Sequence, residues 1–101
     1  MNDPAAAEED LQRFREELTR ELTDMVALLM KKRRSYGPHN LVRFGAIGIV
    51  IRASDKIDRL ANLMKDGTAE SADGDTVEDA WRDLIGYGVL GLLRHKGRLV
   101  P

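Results

Sequence analysis

Within the stretch "RASDKIDR", residues 52 to 59, five side chains carry charge: Arg52, Asp55, Lys56, Asp58 and Arg59. Arg52, Asp55, Arg59 and Asn62 follow spacings of three, four and three, which place them on one helical face, with Lys56 one residue round from it. Farther along, Asp79 and Asp83 stand four apart and share a face, and Glu78 lies beside them. Carboxylates on facing helices can converge inside a bundle, where oxygen ligands suit Mg²⁺ or Mn²⁺. An ion held there bridges phosphate oxygens and lowers the pKa of an attacking water, while Arg and Lys hold the remaining phosphate charge. The competing reading is a solvated face of ion pairs, as Asp55 and Arg59 at i,i+4 would form. Asp79 and Asp83, however, are like-charged and repel by a few tenths of a kcal/mol, a penalty that a metal or a cation from a neighbouring helix removes. Spacing alone leaves both readings open.

A second group sits in "KKRRSYGPHN", which offers four cations, hydroxyls on Ser35 and Tyr36, and the amide of Asn40. Beside a helix start at Asn40 such a turn can receive phosphates or a nucleoside, although taken alone the stretch is better explained as a basic helix end followed by an ordinary turn. Trp81 and Phe44 can stack a base, but aromatics at helical spacing usually belong to a core. His39 and His95 are isolated, without a second histidine at ligand spacing, and no glycine-rich segment has the form of a phosphate-binding loop of the GxxxxGK type.

Three helices must position these groups. From Glu8 to about Arg34 the apolar residues Leu11, Phe14, Leu18, Leu22, Met25, Val26 and Leu29 recur at the spacing of an amphipathic helix. Asp3-Pro4 is a suitable helix start, residues 1–7 read as a disordered leader, and "YGPHN" ends the helix. Asn40 can cap a second helix from about Leu41 to Lys65, apolar almost all round over Leu41 to Ile51. Residues 66–75 form a polar, glycine-containing loop, and Thr76 or Asp75 caps a third helix reaching about His95. The expected fold is therefore all-α, a single helical domain over 8–101. The broad apolar faces of the second and third helices exceed what three helices can cover, so oligomerisation into a larger bundle is expected. Glycines 45, 48, 86, 88 and 91 permit close helix approach, within one chain or between copies.

At 101 residues the chain suits one domain with one modest core. A net charge of −1 argues against binding nucleic acid or anionic membranes through bulk charge. The absence of cysteine excludes disulfides, thiolate metal sites and cysteine nucleophiles. The start "MNDPAAAEED" is unlike a targeting peptide, and no apolar run reaches the length of a membrane span, so a cytoplasmic location is expected.

Taken together, "YGPHNL", "FGAIGIVIRASDKIDRLANL" and "TVEDAWRDLIGYGVL" resemble the family called nucleotide modification-associated domain one, over about residues 31 to 90. That family is similar to the all-α nucleoside triphosphate pyrophosphohydrolases of the MazG and dUTPase type, which hold Mg²⁺ with helix-borne acids and usually work as dimers or tetramers. The resemblance implies Asp55, Asp79 and Asp83 as metal ligands, and Lys56, Arg52 and Arg59 as phosphate contacts. It implies Tyr36 and Asn40 as nucleotide contacts, and Glu78 as a further ligand or general base, with Lys56 also in the catalytic group. One departure is plain: the better-known relatives place Glu-x-x-Glu where this chain has Arg52-x-x-Asp55, with a cation in place of an acid.

The leading expectation is a Mg²⁺- or Mn²⁺-dependent nucleotide pyrophosphohydrolase, or a variant acting on a modified nucleotide, assembled as a homodimer or higher homo-oligomer. The alternative is a nucleotide-binding or partner-binding helical module without catalysis. A purely structural helical oligomer ranks last, because it leaves the charged face without a use.

Overall fold

In a computed structural model of the chain, residues 3–40, 43–65 and 76–99 are described. They form three helices, α1 (Pro4–Tyr36), α2 (Gly45–Lys65) and α3 (Val77–His95), and no strand ladder joins any of them. The fold is an all-α bundle, as the apolar periodicity implies.

Local chemistry sets most of the helix ends. The Asp3 carboxylate accepts from the Ala5 amide at 3.0 Å with Pro4 at the first turn, so α1 takes in residues 4–7, which the leader reading left outside it. At its other end Gly37 adopts φ +79°, a left-handed value that an L side chain resists, and donates its amide to the Arg33 carbonyl. Thr76 caps α3 by accepting from the Asp79 amide at 2.9 Å. The start of α2 differs from expectation: the helix opens at Gly45 and not at Leu41, and Asn40 is not its cap. The Asn40 side chain instead accepts a hydrogen bond from Arg52 at 3.1 Å, so tertiary pairing outcompetes the capping role. The loop expected at 66–75 lies outside the described residues.

α3 is the central element, packed along α2, while α1 leans on α3 near Gly86. There the side chains of Leu29 and Met25 come within 3.2 Å and 3.7 Å of where a Cβ on residue 86 would stand, so the missing side chain is what lets the two helices approach. Gly86 thus serves contact within the chain, whereas Gly88 faces open space. The buried apolar core comprises Met25, Ile49, Leu60, Leu63 and Ala80.

That core is small for the apolar content. The radius of gyration is 17.0 Å, against about 13 Å for a compact chain of this length. The longest dimension, 54 Å, is essentially the length of α1, whose 33 residues extend about 50 Å. No helix among the described residues is long and apolar enough to cross a membrane.

Candidate functional site

The three helices enclose a cleft of about 560 Å³, within the range of small-molecule sites. α1 and the turn after it contribute Met25, Leu29, Lys32, Arg33, Tyr36 and Asn40; α2 contributes Arg52, Asp55 and Lys56; α3 contributes Arg82, Asp83, Tyr87 and Leu90. Spacing explains several of these contributions. Met25, Leu29, Lys32 and Tyr36 continue the apolar stripe of α1 by steps of four, three and four. Asp83 and Tyr87 are four apart on α3 and stand over one another.

Asp83 is the hub. One carboxylate oxygen accepts from the Lys32 ammonium at 2.9 Å and the other from Lys56 at 3.0 Å, so a single side chain on α3 joins α1 to α2. Burial pushes the Asp83 carboxyl up, but the hydrogen bonds and charges of Lys32 and Lys56 outweigh it and hold the group below its ordinary value. The hydrogen bond to Asp83 raises Lys56 in turn, against desolvation and the nearby positive charge of Arg59. Each group of the Lys56–Asp83 pair therefore favours its charged form.

Of the residues singled out from spacing and resemblance, Tyr36, Asn40, Arg52, Asp55, Lys56 and Asp83 meet in this cleft. Arg59 is half-buried beside Lys56 and does not line it. Glu78 and Asp79 lie outside: Glu78 pairs with Arg82 at 2.6 Å, and Asp79 stands 3.8 Å from the same guanidinium. Trp81 and Phe44 are exposed elsewhere, so the aromatic walls are Tyr36 and Tyr87. Spacing also passed over Lys32, Arg33, Arg82 and Tyr87 as individual site residues. The Lys32–Tyr36 and Asp83–Tyr87 repeats were the available signal for two of them, Lys32 and Tyr87.

A divalent metal requires several oxygen donors around one point. Among the described residues Asp55 and Asp83 are the two carboxylates in the cleft lining, and both oxygens of Asp83 are taken by lysines. Among the described residues no three acidic, histidine or cysteine side chains stand together as a ligand set. The Asp55–Asp79–Asp83 triad implied by the resemblance is thus not assembled by the described part of one chain. What the lining does offer is positive charge, from Lys32, Arg33, Arg52, Lys56 and Arg82, with two phenols and an apolar floor. Such a lining can grip a multiply charged anion and lay a planar group against a ring. No family model, curated protein or solved structure matches the chain.

Proposed function

We propose that the cleft binds a nucleotide, or a modified nucleotide, through its phosphates. One observation carries this reading: among the described residues, five cationic side chains, two tyrosines and two carboxylates line a cleft of about 560 Å³. The phosphates lie against Lys32, Arg33, Arg52 and Lys56, and the base or sugar lies toward Tyr36, Asn40 and Tyr87. The motif resemblance to the nucleotide modification-associated family supports the same ligand class. Thermal-shift and calorimetric titrations with inorganic phosphate, pyrophosphate and a nucleotide panel test it. A rise in melting temperature that grows with phosphate count and is lost in Arg52→Ala and Lys56→Gln is expected. No response to any phosphate compound overturns it.

Hydrolysis is the second reading, favoured by Asp55. This carboxylate lines the cleft and has no ion-pair partner among the described residues, so it is the acid most open to a substrate-borne Mg²⁺ or Mn²⁺. Pyrophosphate release from a nucleoside triphosphate, dependent on the metal and abolished in Asp55→Asn, selects a pyrophosphohydrolase. Tight binding without release selects a binding module.

We also read the chain as a homo-oligomer, because large apolar side chains on all three helices are exposed.

A further inference from the structure

We infer that Asn40 is a positioning residue of the phosphate site: its side-chain carbonyl holds the Arg52 guanidinium at the cleft without cancelling its charge. The inference rests on the phosphate-cleft reading and names how that site is prepared before a ligand arrives.

The cations of the cleft lining differ in what holds them. Lys32 and Lys56 are both held by the Asp83 carboxylate, at 2.9 Å and 3.0 Å. Arg82 meets Glu78 at 2.6 Å and stands 3.8 Å from Asp79. Each of these three is oriented by an opposite charge, which also offsets the attraction it offers an anion. Arg52 is held otherwise. It donates to the Asn40 side-chain oxygen at 3.1 Å, and among the described residues no carboxylate stands within ion-pair distance of it. A guanidinium only donates, so the Asn40 atom that meets it is the carbonyl oxygen and not the amide nitrogen. A neutral acceptor fixes one arm of the planar fork and leaves the full positive charge for a phosphate.

Asn40 is itself well anchored. Just before it Gly37 closes α1 with its amide on the Arg33 carbonyl at 2.9 Å, and the ring of Pro38 fixes φ. Just after it the Arg43 amide donates to the His39 carbonyl at 3.1 Å. Asn40 and Arg52 are both half-buried and both line the cleft, although twelve residues separate them. A long side chain ordered beforehand loses less freedom when the ligand binds, so the contact acts on affinity through Arg52.

Pyrophosphate is the probe, because it has no base or sugar for Asn40 to touch. Calorimetric titration of the full chain at low ionic strength keeps weakened variants measurable, and melting curves check that each is folded. Asn40→Ala should weaken pyrophosphate about threefold to tenfold, and Arg52→Ala about tenfold to a hundredfold. In the Arg52→Ala background Asn40→Ala should add no further loss, a result that general loosening of the turn would not give. Asn40→Asp should keep the contact and the melting temperature yet weaken pyrophosphate, because its carboxylate neutralises the guanidinium. Three results overturn the positioning role and leave the phosphate cleft standing: unchanged affinity in Asn40→Ala, losses that add in the double variant, or wild-type affinity in Asn40→Asp. A wild type that binds no pyrophosphate overturns both.

Discussion

The two halves of α1 carry one continuous stripe and meet opposite fates. From Met25 onward the stripe turns to its own chain: Met25 is buried and Leu29 half-buried against α3 at Gly86, and Lys32 and Tyr36 then line the cleft, where the stripe changes from apolar to cationic. From Leu22 back to Leu11 the spacing is the same and the side chains are more apolar, yet among the described residues no other helix covers them. Periodicity therefore reports which face a helix will bury and is silent about what buries it. On one side Gly86 lets α3 supply the cover; on the other no element among the described residues does.

Substitutions can sharpen that contrast. The largest effect belongs to the covered half: Met25→Ala empties a buried site and should cost about 2–4 kcal/mol in urea unfolding, with the loss measured at a fixed protein concentration. Gly86→Leu forces a side chain into the seat of Leu29 and should cost about 1–3 kcal/mol, with α1 released from α3 before the α2–α3 pair unfolds. Hydrogen exchange along α1 would register that order; uniform exchange across all three helices would refute it.

Asp83→Asn comes next, weakening the link between Lys32 and Lys56 at a cost of about 1–2 kcal/mol, since both pairs are partly solvated and screened. The same change leaves two ammonium groups without their carboxylate, so pyrophosphate affinity in the absence of metal should hold or increase. A fall in affinity would mean that Asp83 itself serves the ligand.

The pH profile follows from the same pair. Asp83 has a depressed folded pKa, so its contribution is present above the ordinary carboxylate value of 3.8 and is lost as pH falls through the lower folded value. Lys56 has a raised one, so its contribution is complete below 10.5 and is lost as pH rises through the higher folded value. A pH series of melting temperatures should show that Asp83→Asn removes stability between these limits and little in stronger acid. The smallest effect is Leu18→Ala in the uncovered half. In dilute protein it should change stability by less than about 0.5 kcal/mol, because no other helix among the described residues covers the side chain, and a larger loss confined to concentrated samples would support the homo-oligomer reading.

What the sequence made legible was local. Helix count, the cap at Thr76 and the stop at Gly37 depend on neighbours within four residues, and all are found as expected. The start of α2 was not legible, because the Asn40 amide is drawn to Arg52, twelve residues away. The site shows the same division. Asp55, Lys56 and Asp83 were identifiable as a charged set, yet that both oxygens of Asp83 would meet lysines from two other helices is a fact of tertiary packing. Asp79 and Asp83 share a face by spacing, but the small angular difference between them is enough to turn one toward Arg82 and the other into the cleft. Lys32 and Arg33 read as a helix-end charge run until α3 is laid against them.

The seat at Gly86 also makes α1 a lever. The helix is clamped near Met25 and Leu29, with Lys32 a short distance to one side of the fulcrum and Pro4 about 30 Å to the other. A tilt of about 10° that shifts Lys32 by roughly 2 Å sweeps the far end through about 5 Å. Movement of a few bond lengths in the cleft is mechanically amplified at the acidic tip, and any load on the tip is felt as torque at Lys32.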